Sequence, residues 1–183
     1  MQLPGIVPRR QETARRFAGR PKGRPEGNMP TEQEQWAAQA REIPRVFRSA
    51  LLIDDAGAIR HRPASGEWSA IEVVGHIIDK IVNWAGRVER ILVEERPVLP
   101  SYDQDASVRQ HDYQHGDPEA LLEQLSQECE RFATLIERIP TSALQREGVH
   151  EEIGLMTVRQ CIVAPLESSF EHLKQLRAAQ TFA

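Results

Sequence analysis

Histidine binds transition metals and changes charge near neutral pH, so its positions are the first place to look for chemistry. The chain carries six: His61, His76, His111, His115, His150 and His172. His76 has a carboxylate, Asp79, one helical turn away that could orient its ring. His172 lies beside Ser168, Cys161 and Gln175 at the edge of an apolar stripe, where a helix bundle places groove-facing residues. His111 and His115 are four apart, the spacing that puts two imidazoles on one helical face. The sequence Gly116-Asp117-Pro118 follows at once, however, and argues against a helix there. Cys129 and Cys161 lie on or beside apolar stripes and are expected to be buried structural thiols. No phosphate-cradling glycine loop or nucleophile elbow is present, and neither Asp54-Asp55-Ala56-Gly57 nor Asp103-Gln104-Asp105 has calcium-loop spacing.

These side chains must be held by helices. Apolar residues recur at three- and four-residue spacing in four segments. The first runs from Thr31 to Ile53 through Trp36, Ala40, Ile43, Phe47 and Leu51, and Pro44 should kink or split it. The second, Ala70 to Glu95, opens with a capping box, Ser69 and Glu72, and presents Ile71, Val74, Ile77, Ile78 and Ile81 on one arc. His76, Asp79, Asn83 and Arg87 fall on its other side. The third follows Asp117-Pro118 and reaches Ile139, where Pro140 stops it. The fourth is capped by Thr157 and reaches Ala179, its stripe being Val158, Ile162, Leu166, Phe170, Leu173 and Leu176. No strand-period alternation of useful length appears. Four amphipathic helices of about 20 residues predict an all-α fold, a four-helix bundle.

Composition narrows the function classes. Of 183 residues, 40% are hydrophobic and 27% charged, enough for one domain with a real core. No apolar run approaches the ~18–20 residues of a spanning helix, so no membrane partner is expected. Two cysteines cannot form a disulfide scaffold, which points to a reducing, cytoplasmic setting. Residues 1–30 hold seven basic groups against two acids, together with five prolines and four glycines, and read as a disordered basic segment. Three readings of it compete: a basic tail that touches acidic partners, an Arg-rich organellar presequence, or leader sequence ahead of a natural start at Met29-Pro30-Thr31. Residues 31–183 then form the bundle domain. With 16 bases against 25 acids, that body makes nucleic acid an improbable partner.

Beyond composition, the motif Glu67-Trp68-Ser69-x-x-Glu72-Val73-Val74-Gly75-His76-Ile77-x-Asp79 resembles the start of the second helix in DinB/YfiT-like proteins, the damage-inducible helical family. The likeness continues through Tyr102-Asp103-Gln104-Asp105, Asp117-Pro118-Glu119-x-Leu121-Leu122 and Gly154-Leu155-Met156-Thr157-Val158 to Glu171-His172-Leu173-Lys174-Gln175-Leu176. The resemblance implies a four-helix bundle, often a homodimer. It also implies a divalent metal, zinc or nickel, held by one histidine of the second helix and two of the fourth, four residues apart. His76 matches the first and His172 the last, while Ser168 stands at the remaining position. A hydroxyl is a far poorer zinc ligand than imidazole. Glu167 and Glu171 point away from their neighbours, leaving a loop donor such as His111, His115 or Asp105 as the source of a third ligand.

With the serine in place, the expected function is small-molecule binding or weak metal dependence at this groove, with Asp79 holding His76 and Ser168 touching a ligand or a water. The alternatives are a metal-dependent transferase or isomerase using a thiol cofactor, a metal-dependent hydrolase, and a non-catalytic homodimeric interaction protein.

Overall fold

The computed structural model describes residues 29–52 and 55–181. The basic segment lies almost wholly outside them. Four long helices carry the fold: α1 (Glu32–Ala50), α3 (Ala70–Val93), α5 (Pro118–Arg138) and α6 (Val158–Ala179). Two short helices, α2 (Ala56–Arg60) and α4 (Gln104–His111), sit in the connections. Both α1 and α3 pack against α5 and α6, so α1 and α3 occupy opposite corners of the bundle. The predicted stripes meet in one core that includes Phe47, Ile77, Leu125, Phe132 and Ile162.

The helix starts follow from their caps. Thr31 accepts from the Glu34 amide at 3.2 Å, and the Glu34 carboxylate accepts from the Thr31 amide at 2.7 Å. Glu72 reaches back to the Ser69 amide and hydroxyl, both at 2.9 Å. Asp117 accepts from the Ala120 amide, and Pro118 occupies the first turn where no amide partner is needed. Pro44 neither splits α1 nor ends it: the helix is continuous from Glu32 to Ala50. Burial of Ile43 and Phe47 on either side of it holds the turn that proline weakens. Phe170 departs from its predicted stripe and is 38% exposed, because at that height α6 turns it out of the core.

A small sheet is present that the periodicity does not predict. Strand β1 (Val98–Leu99) pairs in parallel with β2 (Glu147–His150), which pairs antiparallel with β3 (Gly154–Thr157). Strands of two and four residues are too short to show alternation. The hairpin turns at Gly154, whose φ of 85° suits glycine. Arg146 fastens it to the end of α3 by donating to the carbonyls of Ile91 and Glu94, at 2.8 and 2.9 Å. Thr157 is both the last residue of β3 and the cap of α6, so the sheet fixes where α6 begins and which way Ser168 and His172 face.

Among the described residues, no helix is long and apolar enough to cross a membrane. Both cysteines are free and buried, as expected, and burial pushes the Cys129 thiol up to about 12 and that of Cys161 to about 11.

Candidate functional site

Two pairs at i,i+4 spacing meet across the α3–α6 groove: His76 and Lys80 from α3, Ser168 and His172 from α6. The rings of His76 and His172 stand edge to face with centroids 4.6 Å apart. Trp68, just before the α3 cap, lies over His76 at 4.5 Å and within 6.5 Å of His172. Lys80 Nζ donates to Ser168 Oγ at 3.1 Å and to His172 Nε2 at 2.8 Å. His172 Nδ1 lies 2.9 Å from Gln175 Oε1. An ammonium donor on one side and an amide oxygen on the other assign the proton to Nδ1 and leave Nε2 as the acceptor.

Burial shapes the electrostatics. His76 is fully buried, and among the described residues neither ring nitrogen has a hydrogen-bond partner. Burial, with lesser help from the charges of Lys80 and His172, lowers its pKa to about 3, so the ring is neutral. Burial also lowers His172, against the pull of its bond to Gln175. Burial alone brings the Lys80 ammonium down to about 8. Lys80, Trp68 and His172 remain partly exposed, so the groove is reachable from solvent.

Asp79 does not orient His76. Its carboxylate turns toward α4 and the short 3-10 turn Tyr113–His115, accepting from Ser107 Oγ at 2.8 Å and Tyr113 Oη at 2.6 Å. His111 Nδ1 stands 3.2 Å from the same carboxylate. On an α-helix the residue three beyond His76 is rotated toward a different neighbour than the residue four beyond, and α4 takes it. Asp79, Ser107, His111 and Tyr113 thus line a separate cleft of about 650 Å³ that includes none of the groove residues.

The loop histidines are also placed. A helix does form before Gly116, but it ends at His111, and Asp112 takes a left-handed conformation with φ 51°. His115 lies beyond that break and pairs with Asp112 at 2.7 Å, so the two rings do not share a helical face. His150 is buried, and its Nδ1 accepts from the Glu152 and Ile153 amides, a role in closing the hairpin. Among the described residues, no three His, Cys, Asp or Glu side chains gather as a metal-holding group.

Lys80 and Trp68 are the groove residues that histidine-first reasoning passes over. Lys80 had one signal: it lies one turn after His76, as Ser168 lies one turn before His172.

The comparisons with known proteins agree with this architecture. A family model described as the DinB superfamily matches residues 35–176. A Bacillus subtilis protein named "Putative metal-dependent hydrolase YfiT" is 24% identical over 146 residues, 79% of this chain and 82% of the relative. An Oceanobacillus iheyensis protein of the same description is 22% identical over 124 residues, 68% of this chain and 72% of the relative. The solved structure of YfiT from Bacillus subtilis, described as having "an unusual four-helix bundle topology", superposes with a TM-score of 0.74 at 21% identity, covering 86% of this chain and 91% of that one. With a family match across most of its length and a helix arrangement shared with YfiT, the chain belongs to the DinB superfamily and folds as a four-helix bundle.

Proposed function

We propose that the α3–α6 groove is a small-molecule binding site whose metal-binding capacity has degenerated. The observation that carries this reading is the placement of Lys80 Nζ, 2.8 Å from His172 Nε2 and 3.1 Å from Ser168 Oγ. A catalytic zinc takes three protein ligands and keeps one position open. Here the groove offers two imidazoles and a hydroxyl, with an ammonium already bonded to two of the three. The donor set does not fit a resident divalent ion, because the ammonium claims the lone pair of His172 and repels a second cation. The partly buried ring of Trp68 supplies an apolar wall, and Lys80, Ser168 and His172 supply polar groups that can orient a ligand.

One observation favours a second reading, metal-dependent hydrolysis of the kind the relatives' names describe. Among the described residues neither ring nitrogen of the buried His76 has a partner, and a bound ion would take up the one that carries the lone pair. Titration decides between the two. The chelator-treated protein is titrated with zinc and with nickel by calorimetry, and metal is counted after gel filtration. The binding-site reading expects no stoichiometric uptake. One equivalent held at micromolar affinity or better would overturn the binding-site reading in favour of a metal site, and metal-dependent turnover of ester and amide substrates by the loaded protein would then test the hydrolase reading.

A further inference from the structure

Resting on that reading of the groove, we infer that Lys80 is its resident cation: the ammonium supplies the positive charge a divalent ion would supply and receives the carboxylate of a small organic acid. Three observations carry the inference. Lys80 reaches across from α3 to bond both members of the α6 pair, so its position is fixed by two contacts. Those contacts use two of its three N–H donors, and both partners are uncharged. Among the described residues, no carboxylate lies within ion-pairing distance of Lys80, although its side chain is largely removed from water. A partly buried charge with no counter-charge and one idle donor is a standing penalty that an anion relieves.

The same set narrows the anion. The groove group of Trp68, His76, Lys80, Ser168 and His172 has one cationic side chain and no arginine, which matches a monoanion rather than a phosphate dianion. Ser168 Oγ has only a long 3.4 Å contact to the Pro165 carbonyl for its own proton, so its hydroxyl can turn to a second carboxylate oxygen. Trp68, packed on His76 and still partly exposed, is the apolar surface beside which the body of the acid would lie.

The probes are benzoate and its uncharged isostere benzamide, titrated into the full chain at neutral pH and low salt and followed by two-dimensional amide NMR. Benzoate is expected to shift amides around Trp68, Lys80 and Ser168 and to bind roughly ten-fold more tightly than benzamide, the value of about one charge-assisted hydrogen bond. Lys80→Met and Lys80→Gln should each abolish that preference, and circular dichroism confirms that at least one remains folded. Equal binding of the two probes, no binding of benzoate, or an undiminished preference in a folded Lys80 variant would overturn the inference.

A zinc titration separates this failure from failure of the broader reading. Zinc bound tightly by the unaltered chain overturns the broader reading. If the unaltered chain takes up none, Lys80→Met/Ser168→His should bind at least roughly ten-fold more tightly than Ser168→His alone. Equal zinc affinity of those two variants would remove Lys80 from the role while leaving the binding groove intact.

Discussion

His76 and His172 face each other edge to ring across the α3–α6 groove, one sealed inside the bundle and the other at its mouth. Both are held below the ordinary histidine pKa, chiefly by burial. The unfolded chain therefore binds more protons than the folded one once the pH drops below about 6.5, and stability declines from there toward the pKa of about 3 at His76. Replacing His76 by leucine removes the larger part of that loss and two unpartnered buried nitrogens. Urea unfolding should find His76→Leu at least as stable as the parent at pH 7 and more stable by roughly 2–4 kcal/mol at pH 4.5. A parallel pH dependence in the two proteins would refute this assignment.

Glu72 gives a second, lower pH step. Burial opposes its ionisation, but hydrogen bonds from Arg62 and Ser69 prevail and hold its carboxyl below the usual value of 4.5. The stabilisation is fully present above pH 4.5 and is lost as the pH falls through the depressed value. Arg62 is half exposed, so solvent screens its share of the pair. Glu72→Gln should cost about 1–3 kcal/mol at pH 7 and flatten the stability profile below pH 4.5. The capping role predicts that the loss shows first as faster amide exchange in the opening turn of α3.

Close packing of Tyr113 on α3 requires a glycine. A β-carbon at Gly75 would stand 2.1 Å from the Tyr113 ring. Gly75→Ala should lower stability by about 1–3 kcal/mol in thermal melts, even though alanine is the better helix former. In a Tyr113→Ala background the sign should reverse, with alanine at 75 stabilising by up to about 1 kcal/mol. Destabilisation of the same size in both backgrounds would place the cost elsewhere.

Asp79 is assigned to docking rather than to the groove. Its two oxygens accept from Ser107 and Tyr113 separately, and an amide at that position keeps only one acceptor. Asp79→Asn should speed hydrogen exchange across residues 104–115 by roughly ten-fold or more, matching the loss of one or two hydrogen bonds. Binding of benzoate at Lys80 should not change. A selective effect on the groove instead would restore Asp79 to the site.

The sequence by itself determined the four long helices, their caps and most of their buried faces. Those features are written in local terms: a 3.6-residue period, Thr31 with Glu34, Ser69 with Glu72, proline after Asp117, and Thr157 with Gln160. His76, Ser168 and His172 were picked out as one set by the family resemblance, not by helical period or caps, which place each on its helix without saying that they meet. Tertiary structure alone decided what lies between them. Lys80 is an ordinary helical lysine until α6 brings Ser168 and His172 within reach of its amine. Asp79, one residue earlier, is turned toward α4 by the 100° step of the helix, and no rule of spacing says which neighbour stands on each side. The short sheet likewise arises only when the end of α3, the hairpin and the start of α6 meet, since strands of two to four residues hold no period of their own. Contacts within one helix are set by sequence separation, whereas contacts between helices depend on how whole faces pack, and the chemistry of this groove belongs to the second kind.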